Sequence, residues 1–186
     1  MRKIILNLAV SLDGFIEGPN GETDWCLSDQ DYGMDAFFAG VDAIFMGRKS
    51  YDRIDGMPSP FGDKQLYVFT DTPFIIPNEE IIVIDSKNFL KSVEAIRGQP
   101  GQNIWLFGGS SLLSSFIKHK LVTEFIISVH PVVLGGGKPL FHDVAEKLDL
   151  LLLASETFSS GLIQIKYAIK PKFDFSILDR QLSSLN

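Results

Sequence analysis

The stretch VDAIFMGRKSY, residues 41–51, joins an apolar run to a glycine, two cations and a serine just as a helix-forming sequence begins. An apolar run of this length reads as a strand buried on both faces, and the glycine marks the turn where strand passes into helix. The same order returns downstream, where the apolar run 104–107 meets Gly108-Gly109-Ser110-Ser111 and a helix is predicted over 112–117. Two strand–turn–helix units predict an α/β domain with helices on both faces of a mostly parallel sheet.

Outward from this pair, residues 3–10 form another apolar run, closed by Ser11-Leu12-Asp13-Gly14, and should start the fold near the sheet centre. A helix is expected over 29–40, with Met34, Phe37 and Phe38 as its buried stripe and Gly40 as its stop. A loop through Pro58 and Pro60 follows the first unit. Strands are then predicted over 65–70 and 80–84, and a helix over 87–97. After His119 the pattern changes to a strand over 122–129 and a loop over 131–140 that contains Gly135-Gly136-Gly137. The runs 148–158 and 162–169, separated by Ser159-Ser160-Gly161, read as an antiparallel hairpin at the sheet edge. The organisation expected is one domain over 1–170 and a polar tail over 171–186.

With 186 residues, 45% of them hydrophobic, the chain can bury on the order of 70% of its extended surface as a single domain. A formal charge of −6, from 23 acidic and 17 basic residues, argues against a nucleic-acid or anionic-membrane partner. Cys26 is the single cysteine, so an internal disulfide and a cysteine-cluster metal site are excluded, in keeping with a cytoplasmic location. His119, His130 and His142 are scattered, and neither a metal-ligand set nor a Ser-His-acid arrangement emerges. Asn7, Ser11, Asp13 and Glu17 interrupt the first apolar run before a signal-peptide core or membrane span could form.

The chemistry is expected at the two turns. Backbone N–H groups at a helix start can cradle a phosphate, and glycine lets the ligand approach closely. Gly47–Ser50 and Gly108–Ser111 could thus hold the two ends of a dinucleotide, although turn glycines with Ser50 and Ser110 as helix caps would look the same. Neither turn matches the alternating-glycine dinucleotide fingerprint or the phosphate loop ending in lysine and serine or threonine. Arg48 offers a forked donor beside the first turn, supported by Lys49. Gly135–Gly137 with Lys138 precedes no clear helix and reads as a close-approach loop that walls a pocket rather than a phosphate turn. Asp13, Asp31, Asp35, Asp52 and Asp55 lie near sheet ends, where a carboxylate can orient or protonate a substrate. Asp13 could equally serve as a turn acceptor, and Asp31 and Asp35 as charges in a first helical turn. Trp25 and the pair Phe37-Phe38 suit an aromatic cleft or ordinary core packing.

Taken in order, Ser11-Leu12-Asp13-Gly14-Phe15, Met46-Gly47-Arg48-Lys49-Ser50-Tyr51 and Phe107-Gly108-Gly109-Ser110 resemble the dihydrofolate reductase-like superfamily. Ser11 to Gly14 and Pro131-Val132-Val133-Leu134-Gly135-Gly136-Gly137-Lys138-Pro139-Leu140-Phe141 are similar to the reductase domain of the bifunctional riboflavin-biosynthesis deaminase/reductase, and the resemblance covers about residues 3–170. It implies a three-layer α/β/α sandwich whose mixed sheet binds NADPH in an extended pose. Gly47, Arg48, Lys49 and Ser50 would face the adenosine-side phosphates, Thr70 would lie near the adenine ribose, and Gly108, Gly109, Ser110 and Ser111 would meet the pyrophosphate.

The candidates for holding the acceptor are Asn7, Asp13, Trp25, Asp31, Phe37, Asp55 and Gly136. Two departures stand out. Riboflavin-pathway reductases carry a lysine where Asn7 stands and a glutamate where Phe107 stands. The pterin-binding acid of dihydrofolate reductases falls on Asp31 by position or on Met34 by alignment of the aromatic pair.

The function expected is NADPH-dependent hydride transfer to a small heterocyclic acceptor, with a non-catalytic NADPH-binding or sensing domain as the alternative. Should the glycine turns serve packing alone, neither applies. The edge hairpin predicts a homodimer. Arg48 is expected to read the 2′-phosphate of NADPH against the opposing charge of Asp71.

Overall fold

Side-chain alternation divides the core into two layers on either side of one sheet. In β3 (Val41–Gly47), Ala43 and Phe45 join one apolar cluster and Ile44 and Met46 the other. The neighbouring β4 (Gln65–Phe69) and β6 (Asn103–Gly108) repeat the division, with Tyr67, Phe69, Ile104 and Leu106 on the first side and Val68 and Trp105 on the second. Helices α3 (Phe89–Gly98) and α4 (Ser110–Lys118) close the first cluster through Val93, Ile96, Leu113 and Phe116. Helices α1 (Met34–Ala39) and α2 (Arg48–Ile54) close the second through Met34, Phe37, Phe38 and Tyr51. The result is the expected α/β/α sandwich, seen in a computed structural model that describes residues 1–54, 61–73 and 81–170.

With β5 (Ile81–Ile84), β1 (Ile4–Ser11), β7 (Glu124–His130), β10 (Ile163–Ile169) and β9 (Leu150–Thr157), the sheet has eight strands in the order β5-β4-β3-β6-β1-β7-β10-β9. Pairing is parallel from β5 through β7. β10 runs antiparallel to both β7 and β9, so the hairpin forms one edge as the sequence predicts. The carboxylate of Glu124, enclosed at the start of β7, is paired with Lys3, just before β1, and, at 3.1 Å, with Lys166 of β10. These ion pairs hold its pKa below the usual carboxylate range although burial alone would raise it.

Three local expectations are corrected. The helix predicted over 29–40 is confined to Met34–Ala39. The Asp31 carboxylate accepts from the backbone N–H groups of Gly33 and Asp35 at 3.0 and 2.9 Å, while Tyr32 and Gly33 take φ values of 52° and 78°. Side-chain bonding to the backbone thus displaces the first helical turns. The loop over 131–140 contains β8 (Lys138–Pro139), which pairs with β2 (Phe15–Glu17) in a separate two-stranded sheet. The helix predicted from residue 87 is preceded by a 3₁₀ turn, Ser86–Asn88, whose Asn88 N–H is accepted by the Asp85 carboxylate at 2.8 Å. Pro58, Pro60, residue 80 and the tail 171–186 lie outside the described residues.

Candidate active site

The carboxyl ends of β3, β4, β5 and β6 open at one edge of the sheet, the usual place for a ligand in an open parallel sheet. A groove of about 450 Å³ runs along this edge. Gly47, Arg48, Lys49 and Ser50 line it from the β3–α2 turn, Thr70 and Asp71 from the end of β4, and Gly109, Ser110 and Ser111 from the start of α4. Gly108 lines an adjoining cavity of about 440 Å³ that shares Ser50, Gly109 and Ser110 with the groove. The two glycine turns, 61 residues apart at Gly47 and Gly108, are neighbours in space: a Cβ on Gly47 would stand 3.8 Å from the Gly108 carbonyl oxygen.

Charge along the groove is mixed. Arg48 Nε donates to the Asp52 carboxylate at 2.5 Å, one helical turn on. Asp71 accepts from the Ser86 N–H at 2.7 Å, and this bond lowers its pKa and keeps it ionised. At the other end α4 follows the N-cap Gly109 without a side-chain cap, so its first N–H groups, which have no intrahelical partners, are offered no N-cap side-chain acceptor either. The Ser110 hydroxyl beside them is buried and has no hydrogen-bond partner among the described residues. An orphaned hydroxyl costs about 1–3 kcal/mol. Its company with an uncapped helix start fits an anionic group seated there.

The cavity has a different character. Trp105 and Phe107 of β6 supply aromatic surface, and Asn7, Ser128, His130 and Gln164 supply neutral polar groups from β1, β7 and β10. Asn7 is buried, with its side-chain amide nitrogen 3.6 Å from the Met34 sulfur, and its backbone carbonyl accepts from the Trp105 indole N–H at 3.0 Å. His130 Nδ1 accepts from the Leu27 N–H at 3.1 Å, which places the proton of the neutral ring on Nε2. Burial pushes the His130 pKa below its ordinary value and favours that neutral form. Gln164 donates to the Tyr32 carbonyl and to Ser128 Oγ, both at 3.2 Å. Cys26 also lines the cavity, its thiol pKa raised by burial and then by Asp24. Glu17 and Arg53 form a 2.8 Å ion pair at the cavity wall.

Of the residues singled out for the acceptor, Asn7 lines this cavity. Trp25 reaches it indirectly, its ring meeting His130 edge-on at 5.4 Å. Asp13 instead anchors the glycine loop, accepting from Ser11 Oγ, Leu134 N and Gly135 N at 2.7, 3.1 and 2.8 Å. These bonds, the one from Ser11 foremost, lower its pKa. Asp31 caps the start of α1, and Phe37 packs edge-on against Trp105 at 5.4 Å. Gly136 lies beside Pro19, and Asp52 is the partner of Arg48. Asp55 is outside the described residues.

Sequence reading missed Ser128, His130 and Gln164. The signal available was the spacing of Glu124, Ser128 and His130, three polar residues on one face of a strand whose other positions are apolar. Gln164 follows from the register that sets it opposite Ser128.

Comparison with known proteins adds four findings. The family model of the RibD C-terminal domain matches residues 2–164. The uncharacterized protein YyaP of Bacillus subtilis (strain 168) is 47% identical over 179 residues, spanning 89% of this chain and 94% of its own. A crystal structure from Shewanella sp. PV-4, provisionally assigned to riboflavin biosynthesis, shares 27% identity with a TM-score of 0.77, covering 92% of this chain and all (100%) of that one. Dihydrofolate reductase from Enterococcus faecalis, complexed with NADP(H), shares the fold at a TM-score of 0.67 and 15% identity, covering 91% of this chain and 97% of that one.

Proposed function

The chain belongs to the RibD C-terminal domain family, and from that premise we propose that it is an NADPH-dependent reductase acting on a small pyrimidine- or pterin-like acceptor. The observation that carries the reading is the junction at Ser50, Gly109 and Ser110, where a groove suited to phosphates runs into a cavity of aromatic surface and neutral hydrogen-bonding groups. When bound, NADPH would supply the hydride. The residues of the chain would bind and orient. Gly109, Ser110 and Ser111 would seat the pyrophosphate, while Gly47, Arg48, Lys49, Ser50 and Thr70 would hold the adenosine end. Asn7, Ser128 and Gln164 would orient the acceptor, and the Nε2–H of neutral His130 is a donor suited to an acceptor carbonyl or ring nitrogen. Trp105 and Phe107 would exclude water.

The test is calorimetric titration with NADPH and NADH, followed by an acceptor panel that includes the riboflavin-pathway intermediate and dihydrofolate. Binding with turnover supports the reading. Saturable binding without turnover across the panel reassigns the chain to the sensing role. Failure to bind either nucleotide rejects both.

Cofactor choice should depend on Arg48. A charge-assisted hydrogen bond to a 2′-phosphate is worth roughly 1.5–3 kcal/mol, whereas an exposed i,i+4 pair such as Arg48–Asp52 contributes about 0.3–0.5 kcal/mol and can be exchanged. Asp71 opposes the phosphate, and its bond to Ser86 keeps it in place. Arg48→Ala is therefore expected to weaken NADPH binding about tenfold, with a much smaller effect on NADH. Equal losses for the two nucleotides would show that Arg48 does not read the 2′-phosphate.

A second copy of the chain is the proposed partner at β9. All eight positions of this edge strand are exposed, and Leu151 and Leu152 show 50% and 54% of their surfaces. An apolar edge with unpaired backbone groups invites pairing with another strand. Light scattering should give the mass of a dimer, and Leu152→Lys should shift it towards the monomer. A monomer mass for the unmodified chain across a wide concentration range would reject the assignment. A cytoplasmic location belongs to the same reading and is compatible with the single cysteine.

A further inference from the structure

The third glycine cluster delivers a cation to the groove. At Gly137 φ is 135°, and a Cβ there would fall 2.0 Å from the Glu17 carbonyl oxygen. Glycine is what lets β8 lie this close to β2, and the pairing sets Lys138 opposite Glu17 in register. Lys138 lines the groove, and its ammonium stands 3.3 Å from the position of a Cβ on Gly109. It thus reaches the N-cap of α4, a nine-residue helix whose start carries no side-chain cap.

The ion pair between Lys138 and Glu17 does not account for this placement. Their separation is 3.6 Å, longer than a hydrogen bond, and Glu17 is engaged more closely by Arg53 at 2.8 Å. An ammonium, an uncapped helix start and a buried Ser110 hydroxyl with no partner among the described residues therefore converge at one end of the groove. Each favours an anion with several acceptor oxygens.

Resting on the dinucleotide reading above, we propose that Lys138 holds the pyrophosphate bridge of the nucleotide against the N-terminus of α4, with the Ser110 hydroxyl donating to the same group. Glu17 is a positioning residue that orients the lysine from the side. Lys138 then acts on the bridge and not on the adenosine end, where Arg48 and Lys49 lie.

Calorimetric titrations of the unmodified chain, Lys138→Met and Lys138→Arg separate the possibilities. NADPH is compared with 2′-AMP, which carries the adenosine and its 2′-phosphate but no pyrophosphate, and thermal unfolding verifies that each variant folds. Lys138→Met should weaken NADPH at least tenfold and leave 2′-AMP within about twofold. Lys138→Arg, which keeps the charge, should restore most of the NADPH affinity. Unchanged NADPH binding by folded Lys138→Met, or equal losses for NADPH and 2′-AMP, would overturn the assignment of Lys138 alone. An unmodified chain that binds neither nucleotide would overturn the dinucleotide reading and this inference with it.

Discussion

Gly109→Leu should remove dinucleotide binding while leaving the fold in place. Gly109 has φ −79° and ψ −172°, a conformation open to any L-residue, so the substitution brings no left-handed backbone strain. Its Cβ would meet the Lys138 ammonium at 3.3 Å and Ser50 Oγ at 3.6 Å, both of them ends of side chains that can yield. The rest of a leucine side chain would then compete for the junction between groove and cavity, which an extended dinucleotide would cross on the function proposed above. The expected loss of NADPH affinity is at least 100-fold, about 2.7 kcal/mol. Titration and thermal unfolding should be run on the same preparation. Retained NADPH affinity in a folded variant would show that the nucleotide does not pass between Ser50 and Gly109.

Gly137→Ala should cost stability instead. The added methyl would stand 2.0 Å from the Glu17 carbonyl oxygen, a backbone atom, in a residue whose φ is 135°. Relief requires the β2–β8 pairing to open, because neither partner is a flexible side chain. Strained backbone and overpacking each cost about 1–3 kcal/mol, so a loss of about 3 kcal/mol or more is expected from denaturant unfolding. Gly135→Ala is the control. Gly135 has a φ of 72°, but nothing lies within 4 Å of its added Cβ, and the expected cost is about 1–2 kcal/mol from backbone conformation alone. Equal losses at the two positions would mean that the approach to Glu17 does not decide the effect.

The parts of the site legible in the sequence are those made locally. An apolar run, a glycine and a helix occupy consecutive residues at 41–51 and again at 104–117, so the groove-lining turns could be read from either stretch. Helix length was less legible at Asp31, whose short side chain competes for the backbone donors that a longer helix would use. Asp13 carried a second meaning for the same reason: its acceptor role extends to Leu134 and Gly135, 121 and 122 residues away. The polar wall of the cavity depends on strand register. Ser128 and Gln164 become neighbours only when β10 folds back on β7, and Lys138 reaches Gly109 only through the pairing of β8 with β2. A charge after three glycines does not disclose that it will arrive at a helix start 29 residues earlier in the chain.

The strand order also separates two jobs along the polypeptide. The turns that line the groove lie between Gly47 and Ser111, whereas Ser128, His130 and Gln164 come from β7 and its antiparallel neighbour β10. Changes at those three positions therefore alter the wall of the cavity without touching either glycine turn. If the chain is the reductase proposed above, a library restricted to Ser128, His130 and Gln164 should yield altered acceptor preferences on an unchanged nucleotide affinity, so that descendants of one scaffold could diversify in substrate while inheriting the same reductant.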